Sequence, residues 1–251
     1  VAEGPLAGVR VLDLTRLLPG GYGLGLLADL GAQVIKVEQP GVGDYMRWAE
    51  PRLGAESAAS WITDRNKRSV SLDLKDPRGA EALRRLATTA DALVEGFRPG
   101  VMDRLGLGQA ALRALSPRLV VCSISGYGQD GPLAAVAGHD VNYIGRAGIL
   151  SITGSGEGGP AIPGVQVADL GGALVAMVGL LAALLRARAT GEGDHVDVSM
   201  TDAAFSLISV HVGEHLVRGG VPPGPEGMLL NGAFPAYNVY RCADGRFLSV
   251  G

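Results

Sequence analysis

The chain alternates short runs of Val, Ile and Leu with amphipathic or glycine-rich stretches. The runs are "VRVLDLT" (9–15), "QVIKVEQP" (33–40), "SVSLDLK" (69–75), "DALVEGF" (91–97), "RLVVCSIS" (118–125) and "HVDVSM" (195–200). Such segments suit the buried strands of a parallel sheet. After the first comes a Pro/Gly stretch, "LLPGGYG", read as a turn, and then "LGLLADLGA" (24–32), read as a helix stopping at Gly31. "DPRGAEALRRLATTA" (76–90) predicts an amphipathic helix with Asp76 as N-cap and Pro77 in its first turn. The β-α-β-β-α-β order predicts an α/β fold, a parallel sheet with helices on both faces.

Further along, "LGGALVAMVGLLAALL" (170–185) is an uninterrupted apolar run between Asp169 and Arg186. It falls short of the roughly 20 residues a membrane span needs, so a buried core helix is expected and no membrane partner. "TDAAFSLISVHVGEHLV" (201–217) reads as one helix with Thr201 as its N-cap, and 219–234 as a long connection. The last residues, "YRCADGRFLSVG", read as a turn at Ala243–Gly245 and a strand barely begun. The expectation is a chain that forms part of a longer protein.

The net charge of −3 gives no general attraction to nucleic acid, and no nucleic-acid partner is expected. Cys122 and Cys242 are far apart, and both are expected to be reduced thiols of a cytoplasmic protein. No basic, apolar leader opens the chain, so secretion is not expected. The glycines at 20, 21, 23 and 25 do not match G-x-G-x-x-G, although Glu38 ends the second run, so a dinucleotide site is not expected.

Basic residues gather at the ends of predicted strands: Arg65, Lys67 and Arg68 in "DRNKRS", Arg47 in "GDYMRW" and Arg98 in "EGFRPG". Guanidinium forks suit phosphate oxygens, although such a run can also be plain solvated surface. "GYGQDGP" (126–132) offers backbone amides to a ligand, or is an ordinary turn. His139, one of only four histidines, stands in "AGHDVNY" directly before Asp140. Asp169, in "VADLGG", sits at the mouth of the apolar helix, where a carboxylate is a natural N-cap. Alternatively, it pairs with His139 as acid and base, beside amides able to stabilise an oxyanion. His211 and His215 in "HVGEH" lack the H-E-x-x-H order and a third ligand, so no metal is expected.

Together, "GPLAGVRVLDL", "LLADLGAQVIKVEQP", "NKRSVSLDLK", "DALVEGFRPGVMDRLGLG", "GYGQDGP", "AGHDVNYI", "VADLGG" and "ADGRFLSVG" resemble the family III CoA-transferases (CaiB/BaiF), and within them the α-methylacyl-CoA racemases. The resemblance implies a Rossmann-like large domain, taken as 1–190, and a smaller one starting within 191–251, with two chains interlocked as a homodimer. It implies an acyl-CoA substrate and no separate cofactor. CoA would lie on Arg47, Arg65, Lys67, Arg68, Arg98, Tyr127 and Gly128. In the racemase branch a histidine occupies the G-H-D-x-N-Y segment, matched by His139, where transferases generally lack one. Asp169 matches an aspartate of both branches, an acid/base in racemases and the acyl-carrying nucleophile in transferases. Asp140 and Tyr143 would orient His139, and the amides of Gly171 and Gly172 would receive an enolate oxygen. A glutamate that supports the histidine in racemases would lie beyond Gly251. Three readings stay open: racemase, CoA-transferase acting through an Asp169 acyl anhydride, and a CoA-thioester-binding protein without catalysis.

Overall fold

A computed structural model describes residues 4–155, 157–220 and 224–251. The chain divides into two compact units: Val1–Ala137 with Asp169–Met200, and Gly138–Ala168 with Thr201–Gly251. The division is discontinuous and differs from a boundary at 190. Strand His195–Ser199 is hydrogen-bonded to Val120–Ser125 and so belongs to the first unit, while 138–168 leave it.

The first unit is built on six parallel strands: β1 (Arg10–Leu14), β2 (Gln33–Glu38), β3 (Arg68–Ser71), β4 (Ala92–Glu95), β5 (Val120–Ser125) and β6 (His195–Ser199). Their order across the sheet is β6-β5-β4-β1-β2-β3, the doubly wound order with its switch point between β1 and β4. Leu12 of β1 registers with Ile35 on one side and Leu93 on the other. Strands β4 and β5 are buried along their whole length, which is why they read as unbroken apolar runs. Strand β3, on the edge, is largely exposed and carries Arg and Ser.

On one face, Leu12, Leu14, Leu93 and Val121 pack with Leu83, Met102, Leu107 and Leu112. The helices there are Pro77–Ala87, Val101–Arg104 and Gln109–Leu115. Asp76 caps the first of them, accepting the Arg78 amide at 2.8 Å, with Pro77 in the first turn as expected. Val196 points to the opposite face and meets the long helix Val167–Thr190 at Gly179.

The stretch "LLPGGYG" is not a turn. It opens helix Leu17–Asp29, and Gly20, Gly21, Gly23 and Gly25 lie inside that helix. A Cβ would stand 2.0 Å from Thr15 Oγ1 at Gly20, 3.0 Å from Thr63 at Gly21 and 3.1 Å from Met177 at Gly23. These glycines serve close packing, which overrides their poor helix propensity. Pro19 fits because the first helical amides have no intrahelical acceptor.

The apolar helix runs from Val167 to Thr190, longer at both ends than the run 170–185. By length and composition alone it is able to cross a membrane. Its buried residues Ala173, Ala176, Met177, Leu180, Ala183, Leu184 and Ala187 recur at the spacing of one helical face.

In the second unit, helices Asp140–Arg146 and Ile149–Ile152 precede a short hairpin, Gly154–Ser155 with Gly159–Pro160. The single helix expected over 201–217 is two, Met200–Leu207 and Ser209–Val217, broken at Ile208, and the first begins one residue before Thr201. Of the connection 219–234, residues 221–223 lie outside the described residues; Leu229–Asn231 form a 3-10 turn, and Asn231 Nδ2 donates to the Ile152 carbonyl at 3.3 Å. The expected last strand is present as Phe247–Val250, paired antiparallel with Asn238–Arg241.

Candidate functional site

Carboxylates at the strand ends tie down the turns that follow them. Asp13, fully buried on β1, accepts from the Thr15 amide at 2.9 Å and the Thr15 hydroxyl at 2.6 Å. Glu95 at the end of β4 accepts the Phe97 amide at 2.7 Å. Asp197 on β6 accepts the Gln129 amide at 2.9 Å, anchoring the loop of Tyr127 and Gly128. Gly128, at φ 86°, needs its missing Cβ to hold that loop. Leu17 also has a positive φ, 62°, unusual for a branched residue, and gives its amide to Asp44 at 3.0 Å. These turns frame the switch point, where doubly wound sheets bind ligands.

Arg16 stands at this point, its guanidinium carbon 5.4 Å from the Tyr45 ring centroid and 5.7 Å from that of Phe97. The local sequence pattern does not single it out. Its only signal was its place directly after β1, and that place acquires meaning only from the strand order.

Lys67 is not on the surface. Its side chain is 2 % exposed and reaches Asp13 at 3.0 Å, Asp64 at 3.1 Å and the Gly21 carbonyl at 3.2 Å. Beside it Lys36, buried on β2 and unanticipated from sequence, meets Asp44 at 2.8 Å, Asp64 at 3.4 Å and Asp13 at 3.6 Å. Burial opposes the charge on Lys36, but Asp13, Asp64 and Asp44 outweigh it and raise its pKa above the usual lysine range. Burial likewise opposes the charge on Asp13, and Lys36, Lys67 and the Thr15 bonds pull its pKa down. The cluster fastens the turns after β1 and before β3 to the segment around Asp44.

The other predicted cations divide. Arg47 forks onto Glu38 with two bonds of 2.7 Å. Burial works against the Glu38 charge, yet Arg47, the Ser69 hydroxyl and the Asp44 amide hold its pKa at about 2. Arg65 binds Asp29 with Nε at 3.0 Å. Arg68 lies exposed on the edge strand, and Arg98 lies exposed in the turn after β4. Arg98 lines a cavity of about 250 Å3 with Glu95, Ser123, Gln129 and His195.

In the second unit, His139 is the N-cap residue of helix Asp140–Arg146, and its side chain is exposed. Its amide donates to Asn142 Oδ1 at 3.0 Å. Asp140 Oδ1 accepts the Ala168 amide at 2.7 Å, and the buried Tyr143 donates its hydroxyl to the Gly138 carbonyl at 2.6 Å. Asp169, in the first unit, is not an N-cap: it lies in the first turn of the long helix, which starts two residues earlier. The amides of Gly171 and Gly172 lie beyond the four that an α-helix leaves unpaired at its start, so they are not placed as oxyanion donors. Gly172 has a packing role, since a Cβ there would stand 2.6 Å from Met200 Cγ. His211 and His215 share helix Ser209–Val217, and among the described residues no group of three His, Cys, Asp or Glu side chains is arranged to hold a metal.

A 3-2-1-4-5-6 sheet with tied turns at its switch point offers ligand-binding positions at its strand ends. Residues 6–251 match CoA-transferase family III, and the chain belongs to that family. It is 37% identical to the succinyl-CoA:glutarate CoA-transferase of Mus musculus and 40% identical to the alpha-methylacyl-CoA racemase of Homo sapiens, each over 98% of this chain. It spans 56% and 61% of the length of those two proteins. A crystal structure of a CAIB/BAIF family protein from Brucella suis superposes with a TM-score of 0.89 at 34% identity, over 98% of this chain and 65% of that one.

Proposed function

We propose that the protein containing this chain racemises 2-methylacyl-CoA thioesters by exchanging the proton α to the thioester carbonyl. The observation that carries this reading is His139, exposed at a helix head and flanked by two anchored neighbours, Asp140 and Tyr143. The resemblance associates a histidine at this position with racemases rather than transferases. Loss of the α proton gives an enolate, and reprotonation from the other side inverts the centre. His139 and Asp169 take opposite starting protonation states, one as base and one as acid. The start of helix Val167–Thr190 adds a positive dipole end for the enolate. Arg98, exposed in the turn after β4, supplies positive charge for the CoA phosphates, and Tyr127 and Gly128 supply a loop near it. The enzyme works as a cytoplasmic homodimer and needs no cofactor beyond the CoA of its substrate.

A second reading is favoured by the near-equal identity to CoA-transferases. There Asp169 attacks the thioester carbonyl, forms an acyl anhydride and releases CoA thiolate. Incubating the full-length protein with 2-methylacyl-CoA, with and without free carboxylates, separates the two. Racemisation without an acyl acceptor supports the proposal. Acyl exchange onto the carboxylate without racemisation supports the second reading, and binding without either reaction leaves a CoA-thioester-binding protein.

A further inference from the structure

Residues from three turns meet at the side chain of Arg16. Its guanidinium carbon lies 5.4 Å from the Tyr45 ring centroid and 5.7 Å from that of Phe97. Nη1 donates to the Tyr45 hydroxyl at 3.4 Å and Nη2 to Gln39 Oε1 at 3.3 Å. Arg16 follows β1, Gln39 and Tyr45 follow β2, and Phe97 follows β4. In the sheet β1 lies between β2 and β4, so the guanidinium stands at the strand ends where the order reverses.

The other cations described around these turns are matched by carboxylates, with Arg98 the exception beside Arg16. Lys36 and Lys67 meet aspartates, Arg47 meets Glu38 and Arg65 meets Asp29. Arg16 forms no ion pair among the described residues. The nearest carboxylates in sequence are committed elsewhere: Glu38, beside Gln39, to Arg47, and Asp44, beside Tyr45, to Lys36 at 2.8 Å. Both hydrogen bonds of Arg16 go to neutral acceptors at the long end of the range. A guanidinium carries about five N–H donors, all in its plane. The two rings hold its faces, so Nε–H and one N–H on each terminal nitrogen stay without a protein partner. Arg16 is half-buried and Tyr45 is exposed, so these donors are open to a ligand from solvent. The rings also order the side chain in advance, which lowers the entropy lost when an anion binds.

We propose that Arg16 binds an oxyanionic group of the substrate, a CoA phosphate or a carboxylate carried by the acyl group, and so decides which thioesters the site accepts. The proposal rests on the reading that the protein takes CoA thioesters. Phosphate and carboxylate offer the same pair of oxygens to a guanidinium fork, and they differ in which half of the substrate bears them.

The test compares wild type and Arg16→Gln, as full-length proteins, in affinity for three thioesters of matched acyl length: an acyl-CoA, a neutral acyl-pantetheine and a carboxyacyl-pantetheine. Glutamine keeps hydrogen-bonding capacity and loses the charge and the fork. If phosphate is the partner, acyl-CoA binding falls about tenfold or more and neither pantetheine thioester changes. If the carboxylate is the partner, only the carboxyacyl-pantetheine loses affinity on that scale. Unchanged affinity for all three overturns the proposal. An equal loss for all three, the neutral thioester included, also overturns it, because that is the mark of a displaced turn. The NMR signal of the Arg16 Nε–H in the wild type gives a second readout that needs no variant to fold. It shifts with an anionic ligand and stays still with neutral acyl-pantetheine; a signal that moves with none of the three overturns the proposal. A wild type that binds no CoA thioester removes the underlying reading and the proposal with it, whereas CoA-thioester binding with a silent Arg16 overturns the proposal alone.

Discussion

Asp140 accepts the backbone amide of Ala168 across 28 positions of sequence, at 2.7 Å. The residue after His139 thereby caps the start of the long helix from outside it. An α-helix leaves its first four amides without acceptors, and this bond satisfies one of them. Asp140→Ala is expected to cost about 1 kcal/mol, the usual loss for a cap, while Asp140→Asn costs a few tenths. Thermal unfolding then drops by about 2–4 °C for the alanine variant. Equal melting of alanine variant and wild type would show that the cap is not formed.

The buried lysines make a larger claim. If Lys67 were a surface cation, Lys67→Met would change stability by less than about 0.5 kcal/mol. Within the cluster it leaves Asp13 and Asp64 facing a single lysine, Lys36. The expected loss is about 3–5 kcal/mol, seen as a lower urea midpoint with an unchanged slope.

Two carboxyls give opposite pH dependences of stability. The Glu38 pKa is depressed to about 2 in the fold, so its contribution is full above its unfolded value near 4.5 and is lost as pH falls toward 2. The Glu95 pKa is raised, so its contribution is full below the unfolded value and is lost as pH rises through the folded one. Urea midpoints measured against pH should flatten on the acid side in Glu38→Gln and on the higher-pH side in Glu95→Gln. A Glu38→Gln profile parallel to wild type below pH 4.5 would contradict the Arg47 pairing.

Gly20→Ala tests the glycine-rich helix. Alanine is the better helix former by about 1 kcal/mol, and at a strain-free site it would stabilise. Here its Cβ would stand 2.0 Å from Thr15 Oγ1, which is bonded to Asp13. Net destabilisation in chemical denaturation is expected; a gain would mean that Thr15 swings aside without cost.

The strands were legible because each is a compact run of β-branched and aliphatic residues, and all six predicted runs became sheet strands. Asp76 and Pro77 were legible because cap and helix are adjacent in sequence. The helix at Leu17 was not, since its glycines owe their place to Thr15, Thr63 and Met177, contacts that no local pattern records. Asp169 looked like a cap because the apolar run starts beside it. The helix begins earlier, where Asp140 reaches Ala168 from another segment. Lys67 looked like a ligand cation because its carboxylate partners lie 3 and 54 positions away. Arg16 and the switch point depend on strand order, a non-local property.

The central claim is proton exchange at the α carbon by His139 and Asp169, and deuterium incorporation tests it most directly. The full-length protein, given one epimer of a 2-methylacyl-CoA in D2O without an acyl acceptor, is predicted to introduce deuterium at the α carbon as it racemises. His139→Ala and Asp169→Asn should each slow racemisation by about 10²-fold or more, the scale of a lost acid/base group. Each should retain exchange from one epimer only, because one base survives on one face. Near-normal racemisation in a well-folded Asp169→Asn protein, or no α-deuterium in a wild type that transfers acyl groups to free carboxylates, would contradict the account.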